Sequence, residues 1–130
     1  MELTDIQAKL KTSNGWQEKY RQIMLLGKTL PPPAESLLEE KNRVSGCESN
    51  VWLTVEISSS SVDLQLWSDS KVVKGLLAIV LSVYQQKTVQ EVKDTKLRAI
   101  FEELGISKHL SDSRNNGLNA INEAIQQAVD

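Results

Sequence analysis

The sequence of 130 residues contains one cysteine and one histidine. One cysteine cannot form a disulfide within the chain, and a secreted domain of this size usually carries several, so we expect a reducing, cytoplasmic environment. The same scarcity limits metal binding, because a closed zinc or iron–sulfur site takes about four nitrogen or sulfur ligands. We therefore expect no zinc finger and no self-contained cluster.

The sequence also lacks an excess of positive charge and a long apolar segment. Its 15 basic and 17 acidic residues give a formal net charge of −2, which offers no basic field for a nucleic acid. The longest apolar run, LLAIVL at 76–81, is far shorter than the about 20 residues that cross a bilayer. The opening segment MELTDIQAKL lacks the basic start and apolar centre of a signal peptide. We therefore expect a soluble protein that binds neither nucleic acid nor membrane.

Residues 51–66 show the alternation of an antiparallel hairpin. Four serines at 58–61 supply the turn between the two alternating runs, and a third strand at 42–45 could widen the sheet. The apolar face of the hairpin would consist of Val51, Leu53, Val55, Ile57, Val62, Leu64 and Leu66. We predict that residues 1–130 form a single α+β domain, in which helices flank a small three-stranded antiparallel sheet.

Helix signals occur on both sides of this hairpin. Asn14 can cap a helix that ends before Gly27, and SDS at 68–70 precedes an almost wholly apolar helix that we expect to be central. Gly75 interrupts that helix at a cost of up to about 1 kcal/mol against alanine, which indicates close packing there, most simply against the sheet. TVQE at 88–91 has the capping-box pattern, and Ser113 can start the last helix.

Cys47 is either a packing residue or the reactive atom of the protein. Free cysteines commonly pack as small hydrophobes, but this one follows Gly46 and lies among polar residues, which predicts an exposed loop. Reactivity requires the thiolate, which Arg43 would favour and Glu48 would oppose if they lay close.

Two further residues are candidates for the same chemistry. Arg114 is predicted in the first turn of the last helix, where its charge opposes the helix dipole, so it either binds a thiolate, persulfide or partner carboxylate or has no role. His109 is the only residue available as the base of a Cys–His pair, so a stand-alone thiol-dependent enzyme would use Cys47 with His109.

The segment RVSGCESNVWL at 43–53 resembles the GCxSxVW signature of the SufE family of sulfur-acceptor proteins. Three other segments resemble the remaining conserved blocks of the family in the same order: WQEKYRQIMLLGKTLP at 16–31, SDSKVVKGLLA at 68–78 and LSDSRNNGLNA at 110–120. The resemblance therefore extends over nearly the whole chain.

This resemblance implies a three-layered α+β fold similar to the IscU/NifU scaffold proteins, and a cytoplasmic, non-enzymatic role in iron–sulfur cluster biogenesis. The implied partner is a cysteine desulfurase of SufS or CsdA type, which uses pyridoxal phosphate, whereas this chain would need no cofactor. Sulfur would pass through a persulfide to an iron–sulfur scaffold or another acceptor. A CsdE-like carrier that feeds transfer RNA modification is the alternative within the family.

The resemblance also implies roles for individual residues. Cys47 would form the persulfide and rest against an apolar pocket between encounters. Residues that would support the loop or contact the partner are Ser45, Gly46, Glu48, Ser49 and Arg114.

Overall fold

A computed structural model describes residues 2–130. Over those residues it contains six α-helices and one two-stranded antiparallel sheet. In chain order the elements are α1 (Leu3–Lys11), α2 (Gly15–Leu26), β1 (Val51–Ser58), β2 (Ser61–Ser68), α3 (Lys71–Tyr84), α4 (Val89–Asp94), α5 (Leu97–Glu103) and α6 (Asp112–Val129), with short 3₁₀ turns at Gly27–Thr29, Glu35–Leu38, Glu40–Asn42 and Ser107–His109.

The hairpin has the predicted strands and turn. Val51 pairs with Ser68 and Ser58 pairs with Ser61, and the turn places Ser59 and Ser60 in the left-handed region with φ of 51° and 66°. The inward face contributes Val51, Leu53, Val62, Leu64 and Leu66 to the core. Ile57 continues the alternation beyond the core, however, and is 49% exposed.

The prediction of a third strand at residues 42–45 is wrong. In the described chain this segment makes one isolated antiparallel bridge, between Arg43 and Trp52, with Val44 N–H donating to the carbonyl of Val51. The chain leaves the sheet on both sides of that bridge, because Glu40–Asn42 is a 3₁₀ turn and Gly46 has a φ of +91°. The segment directs the cysteine loop away from the sheet instead of widening it.

Helix α3 is the central buried helix, as predicted. Ser70 is its N-cap and accepts a hydrogen bond from Val73 N–H at 3.4 Å. A Cβ atom on Gly75 would overlap the carbonyl oxygen of Ile23. The predicted close approach is therefore present, but the neighbour is α2 and not the sheet.

The other helix signals are confirmed in part. Asn14 occupies the N-cap position of α2, but its side chain makes no capping hydrogen bond. Thr88 and Glu91 form both hydrogen bonds of the capping box, at 3.1 and 3.0 Å. The N-cap of α6 is Ser111, two residues before the predicted Ser113, and its hydroxyl accepts from Arg114 N–H. Within residues 2–130, no helix is long and apolar enough to span a bilayer.

Candidate functional site

Cys47 lies on the loop between the Arg43 bridge and β1, facing α6. Ser45 and Gly46 are exposed, as the polar sequence predicted, but the Cys47 side chain turns inward and is half-buried against the core. Its sulfur lies 3.6 Å from the carbonyl oxygen of Gly117 on α6, to which the thiol can donate. The thiol is thus covered by the protein although its loop is at the surface.

The cysteine faces a cavity of about 230 Å³ between the loop, α3 and α6. Its inner wall is apolar, and its outer part carries hydroxyl groups and charges. The apolar wall consists of Val51, Val73, Leu76, Leu118 and Ile121, and the polar part of Glu48, Ser49, Ser111, Ser113 and Arg114. One side of the Cys47 environment is therefore apolar, while the other is polar and lies nearer the surface.

Burial raises the pKa of the Cys47 thiol, and the nearby charge of Arg43 opposes that rise as the smaller effect. Desolvation disfavours the thiolate because an anion loses more solvation than a neutral thiol on entering an apolar site. At this position the thiol is therefore favoured over the thiolate, and it can donate to the Gly117 carbonyl.

Besides the Cys47–Gly117 contact, two side-chain hydrogen bonds attach the loop to the body of the protein. Ser113 Oγ donates to Glu48 Oε2 at 2.7 Å, and Asn50 Nδ2 donates to Asp69 Oδ2 at 2.8 Å. Both bonds are exposed, and a typical intramolecular hydrogen bond contributes about 1 kcal/mol to stability. Each of these two attachments of the loop is therefore weak.

Two glycines lie where the loop meets α6. Gly46 adopts a left-handed φ, and a Cβ there would also lie 3.3 Å from the Cβ of Ala120. A Cβ on Gly117 would lie 3.5 Å from the Cys47 sulfur, within ordinary van der Waals contact. Larger side chains at position 117 would occupy the space that the thiol now fills.

Arg114 occupies the first turn of α6, as predicted, and lines the Cys47 cavity. Its guanidinium carbon lies 6.0 Å from the centre of the Tyr20 ring, at the limit of a cation–π contact. Tyr20 packs edge-on against Trp16, and Trp16 stacks on His109 with 4.4 Å between ring centres. An aromatic row therefore extends from the cavity across α2.

His109 lies at the far end of this row and does not line the cavity. The structure consequently brings Glu48, Ser49 and Arg114 together around Cys47, whereas His109 is occupied by its stack on Trp16. This arrangement does not favour a Cys47–His109 nucleophilic pair.

The sequence does not identify Ser113 or Gly117 as residues of the site. Ser113 reads as a helix start, yet its hydroxyl donates to Glu48. Gly117 contacts the thiol, and the signal for it is the SufE-like block at 110–120. Among residues 2–130, no cluster of three or more His, Cys, Asp or Glu side chains is placed to bind a metal ion.

Comparison with known proteins agrees with the sequence signature. A model of the SufE family, described as an Fe-S metabolism associated domain, matches residues 4–129. The Sulfur acceptor protein CsdE of Escherichia coli (strain K12) is 39% identical over 116 residues, which are 88% of this chain and 78% of that protein. The solution structure of a hypothetical protein from Thermus thermophilus matches with a TM-score of 0.77 and 17% identity, covering 98% of this chain and 92% of that one. At that identity the structural match shows a shared fold alone.

Proposed function

This chain belongs to the SufE family, and on that basis we propose that it is a sulfur acceptor that takes persulfide sulfur from a cysteine desulfurase onto Cys47. The observation that carries the proposal is the position of the Cys47 thiol. It is half-buried beside an apolar cavity, on a loop that exposed hydrogen bonds attach to the body of the protein. A thiol in that setting can be covered by the protein or exposed to a partner.

Sulfur transfer follows from ordinary thiol chemistry. The Cys47 thiolate attacks the outer sulfur of a persulfide held on the desulfurase cysteine. A new sulfur–sulfur bond forms to Cys47, the bond to the desulfurase cysteine breaks, and that cysteine leaves as a thiolate. Sulfur thus moves between proteins without net oxidation and without release as sulfide.

The loop position governs when this reaction can occur. While Cys47 is inward, its raised pKa and its contact with Gly117 keep it protonated. Outward movement into the partner's site returns the thiol to a polar environment, where deprotonation is easier. After transfer, the apolar wall of the cavity would shelter the persulfide from oxidants.

The kinship with CsdE favours a CsdA-type desulfurase as the donor over a SufS-type one. Downstream, the single cysteine cannot build a cluster, so the persulfide passes to an iron–sulfur scaffold or to a carrier that serves transfer RNA modification. The chain acts as a one-domain accessory protein of the cytoplasm, with no turnover of its own. Glu48, Ser49 and Arg114 support the loop or contact the desulfurase.

A desulfurase turnover assay tests this function. Purified CsdA-type desulfurase and L-cysteine are combined with wild-type chain, Cys47→Ser or His109→Ala, and alanine formation is measured. Wild type and His109→Ala should stimulate turnover equally, because His109 lies away from the thiol, whereas Cys47→Ser should give no stimulation. Equal stimulation by Cys47→Ser would overturn the proposal, and a large loss in His109→Ala would favour a Cys–His enzyme instead.

A further inference from the structure

A second surface feature is a basic cleft between the end of α2 and the start of α3, with a volume of about 290 Å³. Within residues 2–130 its lining includes four cationic side chains and no acidic one, although the whole chain carries a net charge of −2. The lining consists of Arg21, Met24, Leu25, Gly27, Lys28, Lys71 and Lys74.

The four cationic side chains differ in whether they already interact with another group of the protein. Arg21 forms an ion pair with Glu18 at 2.7 Å, and Lys74 lies over the Trp67 ring at 4.7 Å. Lys28 and Lys71 are exposed and make no ion pair with any residue of the described chain. Two positive charges of the cleft are therefore free to meet an external anion.

Lys71 occupies a helix position that disfavours its charge. It is the first residue of α3, where the dipole favours acidic side chains, and the first turn of α3 contains none. Helices α4 and α6 follow the usual preference, with Glu91 and Asp112 in their first turns. The nearest acid in sequence, Asp69, is bonded to Asn50 on the loop side. The positive end of α3 thus adds to the charge of the lysines.

The basic cleft and the Cys47 cavity lie on different faces of α3. Lys71 and Lys74 line the cleft on one face, and the cavity lies against roughly the opposite face. The start of α3 links the two sites, because Asp69, two residues before Lys71, accepts a hydrogen bond from Asn50 of the Cys47 loop at 2.8 Å. A partner that binds the Cys47 loop at this end of α3 would therefore also reach Lys71.

We propose that the basic cleft binds an acidic segment of the cysteine desulfurase, an inference that rests on the function proposed above. Carboxylates of that segment pair with Lys28 and Lys71, and an apolar residue packs on Met24 and Leu25, the latter 39% exposed. Complementary charge steers the encounter and sets its orientation, so that the Cys47 loop faces the donor persulfide.

The test is a titration of desulfurase stimulation with the full chain. Lys28→Glu/Lys71→Glu is compared with wild type and with Lys87→Glu/Lys96→Glu, which makes the same change in net charge at exposed sites outside both the cleft and the Cys47 cavity. We expect the cleft variant to raise the half-saturating concentration about tenfold at low salt, with unchanged maximal stimulation, and the control to stay within about twofold. The difference should shrink at about 0.5 M salt, where charges are screened.

The outcomes separate this inference from the function. Equal half-saturating concentrations for the two double variants, or a loss of maximal stimulation alone, overturn the docking inference while the sulfur-acceptor function stands. The docking inference would also be overturned if the cleft variant had the same half-saturating concentration as its control but bound transfer RNA less tightly. The occupant of the cleft would then be nucleic acid. No stimulation by the wild-type chain overturns the proposed function and this inference with it.

Discussion

The Cys47 sulfur lies 3.6 Å from the carbonyl oxygen of Gly117, a residue 70 positions further along the chain. This contact joins the Cys47 loop to the second turn of α6 and covers the thiol on one side. The rate at which iodoacetamide alkylates Cys47 measures how accessible the thiol is.

Two substitutions at position 117 test the stability of α6 and the covering of the Cys47 thiol separately. Gly117→Ala places a methyl group 3.5 Å from the sulfur, an ordinary contact, and should stabilise α6 by up to about 1 kcal/mol with little change in alkylation. Gly117→Leu should displace the thiol and raise the alkylation rate severalfold. An alkylation rate for the leucine variant equal to that of wild type would contradict the placement of Cys47 against α6.

The Ser113–Glu48 hydrogen bond should restrain the loop. Ser113→Ala and Glu48→Ala each remove that bond, worth about 1 kcal/mol, and should raise the alkylation rate roughly fivefold. Glu48→Gln keeps an oxygen acceptor and serves as the control with near-normal alkylation. Because the two alanine changes remove the same interaction, the double variant should react no faster than either single variant. Additive effects would show that the two residues act independently.

The raised pKa of the Cys47 thiol predicts a pH-dependent stability. The folded chain holds this proton more tightly than the unfolded chain, so the stabilisation is complete below the unfolded-state pKa and is lost as pH rises through the folded-state value. In thermal unfolding from pH 7 to about pH 10, the wild-type Tm should therefore fall more steeply than that of Cys47→Ser. Parallel curves would mean that the thiol is not desolvated.

The crossing of α2 and α3 should not tolerate a side chain at Gly75. Gly75→Ala would drive a Cβ atom into the Ile23 carbonyl, and overpacking of this kind costs on the order of 3 kcal/mol. Urea unfolding measures the loss, with Gly117→Ala as a glycine-to-alanine control that has room for the methyl group. A neutral Gly75→Ala would show that the two helices are less closely packed.

Local patterns were sufficient to predict much of the fold. The alternation at 51–66, the Ser70 cap and the capping box at Thr88 are short-range signals, and each element is present. Helix α1 was missed even though Ile6 and Leu10, four residues apart, form its buried face. The strand expected at 42–45 failed because its pairing depends on where the chain is directed by Gly46 and by the preceding 3₁₀ turn.

The site required information that no local pattern contains. The GC step singled out Cys47, but its burial depends on Gly117 and Leu118, which are distant in sequence. The aromatic row from Arg114 to His109 joins α2 to residues near the start of α6, so the stacking of His109 on Trp16 could not be anticipated. Likewise, the hydrogen bond from Ser113 to Glu48 depends on the packing of α6 beside the loop, which no local pattern predicts.

Intact-mass spectrometry measures whether Cys47 carries the sulfur. The chain is incubated with a CsdA-type desulfurase and L-cysteine, with Cys47→Ser treated in parallel. We expect a gain of roughly 32 Da per sulfur atom on the wild-type chain alone, reversed by a thiol reductant. The same adduct on Cys47→Ser, or none on wild type while the desulfurase is turning over, would contradict it.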